Sequence, residues 1–128
     1  MILDTSALLA ILLQEPDAGR FAAALCDAPR RLLSAVSFLE ASIVIQARKG
    51  PAGARELDLL IHRAKIEIVA FTAEQAEAAR QAWLQYGKGQ HRASLNMGDC
   101  CSYALSRISG EPLLFKSEDF SFSDVAAY

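Results

Sequence analysis

The chain has 128 residues, of which 52% are hydrophobic and 22% are charged, which is enough apolar material for one domain with a buried core. No apolar run approaches the roughly 20 residues that cross a bilayer, and the apolar start carries neither a basic leader nor a small-residue cleavage site. We therefore expect a single cytoplasmic domain over residues 1–128, with no membrane association. Three cysteines, two of them adjacent, make neither a disulfide framework nor a zinc site.

The formal net charge is −2, from 13 basic and 15 acidic residues. Enzymes that act on nucleic acids usually present a basic surface, because the phosphate backbone is negative. If four of the acids belong to one metal site, the remaining 11 acidic residues face 13 basic ones. The charge balance therefore neither supports nor excludes RNA as a substrate.

Short apolar runs alternate along the chain with stretches of helical periodicity. In the first half of the chain we predict a strand at 1–3, helices at 6–13 and 17–26, a strand at 31–35, and helices at 37–49 and 52–64 separated by Gly50-Pro51. In the second half we predict a strand at 66–70, a helix capped by Thr72, a polar and basic loop at 87–96, a helix at 98–108 and a strand at 113–115. The helix after Thr72 should have Ala76, Ala79, Trp83 and Tyr86 on its buried face. This alternation indicates an α/β fold, in which helices cover both faces of a short-stranded parallel sheet.

Acidic residues follow the predicted strands. In parallel α/β folds, functional sites form at the carboxyl ends of the strands. Asp4 follows the first strand, Glu40 lies in the first turns after the second, and Asp119 follows the last. Asp99 opens the helix that precedes the last strand. Four segments therefore direct carboxylates toward one edge of the sheet.

Each acid also has an ordinary structural interpretation. Asp4 can cap a helix, and Glu40 can form a capping box with Ser37. Asp99 is favoured in the first turn of its helix by the helix dipole, and Asp119 suits a turn. These interpretations explain the residues separately and leave their convergence unexplained.

Several carboxylates at one edge repel one another and raise one another's pKa. Such a cluster persists most easily when a divalent cation neutralises it. Oxygen ligands without neighbouring histidine or cysteine favour Mg²⁺ or Mn²⁺ over zinc. The pattern therefore predicts a metal site built from carboxylates.

Four stretches carry a resemblance to a known family: MILDTSALLAIL at the start, SAVSFLEASIVI around Glu40, LNMGDCCSYAL around Asp99 and PLLFKSEDFSFSD near the end. Over nearly the whole chain the sequence resembles the PIN-domain nucleases, and most closely the VapC-type toxins of bacterial toxin–antitoxin pairs. The resemblance implies a PIN-like three-layer α/β fold and a Mg²⁺-dependent ribonuclease in which Mn²⁺ can substitute. It also implies that Asp4, Glu40 and Asp99 are the core acids.

The family's fourth acid falls within 117–119, where its members vary, and we favour Asp119 over Glu118 and Asp124. We expect Asp4 and Asp99 to ligate the metal directly. Glu40 would ligate it through water or help to deprotonate the nucleophile. We expect Thr5 or Ser6 to orient a water molecule or a phosphate, and Lys116 either to contact phosphate or to pair with the acids.

The resemblance further implies an RNA substrate, a homodimer and a VapB-like antitoxin that restrains the nuclease. The docking surface for that antitoxin should be apolar, and the helices that begin near Ala7 and Ser37 are rich in Leu and Ile. Two alternatives compete with this interpretation. One is a receiver-like phospho-signalling domain, which also places acids and a lysine at strand ends. The other is a catalytically inactive PIN module that only binds.

Overall fold

A computed structural model describes all residues from 1 to 128. Its elements are β1 (Ile2–Leu3), α1 (Thr5–Leu12), α2 (Ala18–Asp27), β2 (Leu32–Ser34), α3 (Ala35–Arg63), β3 (Glu67–Val69), α4 (Ala73–Tyr86), α5 (Met97–Ser109), β4 (Leu113–Leu114) and a 3₁₀ turn (Glu118–Phe122). The four strands form one parallel sheet in the order β3-β2-β1-β4. The predicted α/β class and the parallel sheet are confirmed.

Consecutive residues of the strands feed two separate cores, because side chains alternate between the faces of a sheet. Leu3, Leu33 and Leu114 belong to a cluster with residues of α1, α2 and α3. Their neighbours Ile2, Leu32 and Leu113 belong to a second cluster with residues of α4 and α5. Helices therefore cover both faces of the sheet, which is the predicted three-layer arrangement.

The helix α3 begins earlier than predicted and joins the two helices predicted at 37–49 and 52–64. It begins at Ala35 rather than at Ser37, since the hydroxyl of Ser34 accepts a hydrogen bond from the Val36 amide and caps the helix. At Gly50 the backbone turns to φ +64°, a left-handed conformation that favours glycine. Helical residues resume at Pro51, so the interruption predicted at Gly50-Pro51 is present as a kink within α3.

The predicted buried face of α4 is correct for Ala79 and Tyr86 and wrong for Ala76 and Trp83. On α4 the buried residues are Gln75, Ala79, Ala82 and Tyr86, whereas Trp83 is 39% exposed. The buried face is displaced from the predicted one because the Gln75 side-chain amide donates to the Ala70 carbonyl, which allows a polar residue inside. Asp17 stands at the start of α2 but makes no side-chain capping bond.

Candidate active site

Four carboxylates line one cleft of about 300 Å³ at the carboxyl edge of the sheet. Asp4 follows β1, Glu40 lies on α3, Asp99 lies in the first turn of α5, and Asp119 lies in the 3₁₀ turn after β4. The remaining lining residues are Thr5, Ser6, Leu9, Val44, Asn96 and Ser117. The structure thus brings together the four acids that the sequence selected, and the convergence follows from the parallel sheet.

Asp4 is 3% exposed, and both of its carboxylate oxygens accept hydrogen bonds. Oδ2 accepts from the Ser6 amide at 3.0 Å and from the Ser6 hydroxyl at 2.6 Å. Oδ1 accepts from the Ser102 hydroxyl at 2.8 Å. The predicted role of Asp4 as a helix cap is therefore correct, but capping uses only one side of the carboxylate.

Asp99 is 9% exposed and forms a capping box with Asn96. The Asn96 amide donates to Asp99 Oδ2 at 3.0 Å, and the Asp99 amide donates to Asn96 Oδ1 at 2.8 Å. Burial raises the pKa of the Asp99 carboxyl to about 7, with further contributions from the charges of Asp4, Asp119 and Glu40. The cap satisfies one carboxylate oxygen and leaves the group short of compensating charge.

Glu40 does not form the capping box that its spacing from Ser37 allowed. The cap of α3 is Ser34, and the Ser37 hydroxyl lies 3.2 Å from the Ser102 hydroxyl instead. The Glu40 carboxylate packs against the backbone of Gly98, where a Cβ atom would lie 2.9 Å from both carboxylate oxygens. The absence of a side chain at position 98 therefore lets Glu40 approach the helix that carries Asp99.

The three candidates for the fourth acid occupy different environments. Asp119 lines the cleft, whereas Glu118 is exposed and does not. Asp124 accepts a hydrogen bond from the Tyr103 hydroxyl at 2.5 Å and lies 3.4 Å from Arg107. The Tyr103 hydrogen bond is the main reason that the pKa of Asp124 is lowered. Of the three, geometry favours Asp119.

The three residues predicted to assist the acids, Lys116, Ser6 and Thr5, also differ in their hydrogen-bond partners. The Lys116 ammonium group pairs with Glu15 and with Asp17, so it does not pair with the cleft acids as one prediction had it. The Ser6 hydroxyl is committed to Asp4. The Thr5 hydroxyl, by contrast, is buried without a hydrogen-bond partner. Among the hydroxyl groups of the lining residues, that of Thr5 is therefore the one without a hydrogen-bond partner.

The donor set fits a hard divalent cation, since every candidate ligand is an oxygen. The raised pKa of Asp99 and the unpartnered Thr5 hydroxyl both indicate a site that lacks positive charge and a polar neighbour. As the side chains stand, no three acidic, His or Cys residues are arranged to hold a metal ion. Asp4 Oδ1 and Asp99 Oδ2 each accept one hydrogen bond from a protein donor, and each of these oxygens keeps a second lone pair for a cation.

Sequence reasoning missed two residues that support the site, Ser37 and Ser102. Both are fully buried and both connect to Asp4, yet Ser102 is 98 positions away from it in sequence. One signal was available, because Ser102 stands three positions after Asp99 on the same helix face. Gly98 was also missed as the residue that admits Glu40.

The chain matches the PIN domain family over residues 1–128. It is 58% identical to a ribonuclease VapC of Mycolicibacterium smegmatis over 127 residues, which cover 99% of this chain and 98% of that protein. Among solved structures, it superposes on VapC20 of Mycobacterium tuberculosis, described as a sarcin–ricin-loop-cleaving toxin, with a TM-score of 0.80 and 18% identity, covering 99% of this chain and 97% of the other. VapBC2 of Rickettsia felis, bound to a promoter DNA fragment, aligns with a TM-score of 0.78 and 14% identity, covering 99% and 96% of the two chains.

A parallel sheet with grouped carboxylates at its carboxyl edge is the arrangement that the sequence predicted for a metal-assisted nuclease. The chain belongs to the PIN-domain family and, within it, to the VapC-type ribonuclease toxins. This membership confirms the resemblance seen in the motifs and goes against the receiver-like alternative. No helix is long and apolar enough to cross a membrane.

Proposed function

We propose that the chain is one PIN domain over residues 1–128 that hydrolyses RNA phosphodiester bonds with Mg²⁺, for which Mn²⁺ can substitute. The observation that carries this proposal is the cleft in which Asp4, Glu40, Asp99 and Asp119 converge. Asp4 and Asp99 are the residues that would hold the cation, because they are the most buried of the four. When bound, the cation supplies positive charge to the phosphate and lowers the pKa of the attacking water.

The protein's own groups complete the reaction. Glu40 is half-buried at the cleft and accepts the proton of the attacking water. The water oxygen bonds to phosphorus while the bond to the 3′ oxygen breaks and that oxygen takes a proton from solvent, so the products carry 5′-phosphate and 3′-hydroxyl ends. Because no 2′-hydroxyl takes part, RNA is chosen over DNA by binding rather than by chemistry. The Thr5 hydroxyl has no protein partner, but it is buried, so its neighbours must move before it can orient water or phosphate.

A VapB-like antitoxin is the proposed partner, since a free ribonuclease in the cytoplasm would damage its host. The VapBC2 complex of Rickettsia felis supports this choice through its shared fold. An apolar groove of about 400 Å³ lies among α1, α2 and α3, lined in part by Ile11, Leu25 and Leu60. On α3, Leu39 is 59% and Ile43 is 61% exposed. Apolar surfaces of this kind suit an antitoxin helix and a second copy of the chain in a homodimer.

The antitoxin can silence the site by charge. A basic side chain inserted into the cleft supplies the positive charge that the carboxylates lack, and it competes with the cation for the same oxygens. Expression of the chain alone should arrest growth, and co-expression with the neighbouring small open reading frame should relieve the arrest. Harmless expression of folded wild-type protein without a partner would argue against the toxin–antitoxin assignment.

Metal removal tests the chemistry directly. Purified protein should cleave RNA with Mg²⁺ or Mn²⁺ and stop in EDTA, and excess Mg²⁺ should restore cleavage. Sequencing of the new 5′-phosphate ends after induction in cells identifies the target RNA. Cleavage that continues in EDTA, or ends that carry 5′-hydroxyl groups, would contradict the proposal. An absence of cleavage by folded protein with either metal would instead favour the inactive binding module.

A further inference from the structure

We propose that Ser102 and Ser37 are positioning residues that orient the Asp4 carboxylate for metal binding. The inference rests on the proposed metal-dependent function and adds residues to it. The two serines come from different helices, and their hydroxyl groups form a chain that ends on Asp4: Ser37 on α3 contacts Ser102 on α5, and Ser102 contacts Asp4.

The direction of the hydrogen bonds follows from counting protons. A carboxylate only accepts, so the hydroxyl of Ser102 gives its single proton to Asp4 Oδ1. Ser102 then has only lone pairs left for Ser37, so the Ser37 hydroxyl is the donor across the 3.2 Å contact. Both hydroxyl protons in this series of hydrogen bonds therefore point toward the Asp4 carboxylate.

A second chain of the same kind reaches the other oxygen. The Lys116 backbone amide donates to the Ser6 hydroxyl at 3.0 Å, and the Ser6 hydroxyl donates to Asp4 Oδ2 at 2.6 Å. An amide cannot accept, which again fixes the proton of the hydroxyl on the side of Asp4. Asp4 is thus held between β4 and α1 on one side and α5 and α3 on the other.

Both serine side chains are buried, so their hydroxyl groups need hydrogen-bond partners within the protein. Ser37 and Ser102 are both 0% exposed. A hydroxyl removed from water without a partner destabilises the folded state, whereas an alanine in its place carries no such penalty. The two hydroxyls satisfy each other and the carboxylate, so their local use is to compensate and orient Asp4.

Groups that orient a metal-binding side chain affect the metal site when they are removed, typically by about 10–100-fold in affinity or activity. The Ser102→Ala variant should therefore bind Mn²⁺ about 10-fold more weakly and lower kcat by about 10-fold, with KM for RNA unchanged. Ser37→Ala leaves the Ser102 donor in place and should change both quantities in the same direction by only about 3-fold.

Ser106 offers a matched control on the same helix. Its hydroxyl is 5% exposed and donates to the Glu111 carbonyl at 2.6 Å, away from the cleft. Ser106→Ala removes a buried, hydrogen-bonded hydroxyl from α5 without touching Asp4. Its melting temperature should fall about as much as that of Ser102→Ala, while its Mn²⁺ affinity and kcat stay at wild-type values.

The test measures free Mn²⁺ by electron paramagnetic resonance during titration of each full-length variant, together with kcat and KM for RNA and the melting temperature. Equal Mn²⁺ affinity and kcat in Ser102→Ala and Ser106→Ala would overturn the positioning role. If Ser102→Ala fails to fold, Ser37→Ala decides: a weaker Mn²⁺ affinity than in Ser106→Ala supports the role, and wild-type affinity overturns it.

A crystallographic arm separates this inference from the proposed function. In metal-free crystals, the Asp4 carboxylate should change orientation in Ser102→Ala and keep it in Ser106→Ala. An unchanged Asp4 in Ser102→Ala overturns the positioning role even if the wild type cleaves RNA as proposed. A wild-type protein that binds no metal would defeat the proposed function, while this arm still decides the role of Ser102.

Discussion

The end of β1 and the start of α5 each place an aspartate in the cleft, but the two carboxylates differ in how many hydrogen bonds they accept. At the end of β1, Asp4 accepts three hydrogen bonds that cover both carboxylate oxygens. At the start of α5, Asp99 accepts one hydrogen bond from the Asn96 amide, and burial raises its pKa to about 7. One acid is compensated by the fold, and the other is left in need of a proton or a cation.

The difference shows how a carboxylate site can exist without its metal. A cluster in which every acid lacked donors would repel itself and destabilise the fold. Here the fold compensates Asp4, and a proton can occupy Asp99 until a cation replaces it. Charge in the cleft is thereby limited in the metal-free protein, while the oxygens needed for binding remain in place.

The largest expected effect is common to both acids. Asp4→Asn and Asp99→Asn each remove a proposed metal ligand with little change in volume, so each should lower kcat/KM by at least about 100-fold. Far-ultraviolet circular dichroism should show that both variants are folded. Wild-type rates in folded Asp99→Asn would show that the metal lies elsewhere.

Substitution of the two acids should change the free energy of unfolding in opposite directions. In EDTA at pH 8, Asp99→Asn should raise the free energy of unfolding by about 1–3 kcal/mol, because it removes a buried charge with few donors. Asp4→Asn should lower it by about 1–3 kcal/mol, because an amide has a single acceptor oxygen and cannot accept from both Ser6 and Ser102. Urea titrations of the metal-free variants measure both changes, and a common sign would contradict the comparison.

The pH dependence follows from the same contrast. The pKa of Asp99 is about 7 in the folded chain against an ordinary value of 3.8, so the folded state holds this proton more tightly. The resulting stabilisation is complete below about pH 4 and is lost as the pH rises through about 7. The stability difference between Asp99→Asn and wild type should therefore grow across this window in EDTA, and a difference that is constant with pH would contradict the raised pKa.

Much of the cleft could be predicted from sequence because its acids follow strands. The position of Asp4 after an apolar run, and of Asp119 after another, fixes both at one edge once the sheet is parallel. Asp99 was predicted in a similar way, from its position at the start of the helix that precedes the last strand. Such predictions need only local patterns and the rule that parallel strands end at a common edge.

The remaining parts of the site depend on contacts between distant segments. The approach of Glu40 to Gly98 and the contact of Ser37 with Ser102 join α3 to α5 across about half of the chain. Their spacing in the sequence carries no periodic signal. The lysine after β4 was similarly ambiguous, because its partners Glu15 and Asp17 lie 101 and 99 positions away in the sequence.

Substitutions at Asp119, Glu118 and Asp124 test which residue is the fourth acid of the cleft. Asp119→Asn should lower kcat/KM by about 10-fold, since Asp119 contributes to the charge around Asp99. Glu118→Gln should stay within about two-fold of the wild type, because an exposed acid outside the cleft has little influence on it. Asp124→Asn should lower the melting temperature through its lost bond to Tyr103 and leave cleavage intact. Equal, small effects on cleavage in all three would indicate a three-carboxylate site.

The smallest effect is expected at Lys116. Its ammonium group is held by Glu15 and Asp17 on the surface, and its backbone amide, which a glutamine at this position retains, supplies the bond to Ser6. Lys116→Gln should therefore keep kcat/KM for RNA within about two-fold of the wild type, as expected for a solvent-exposed ion pair. Glu15→Gln breaks the same pair but keeps the lysine charge, so it separates two explanations of any loss. A loss of more than about 10-fold in Lys116→Gln alone would mean that the lysine leaves its acidic partners to bind phosphate. An equal loss in both variants would mean that the ion pair itself holds the loop in place and, through it, the Ser6 contact with Asp4.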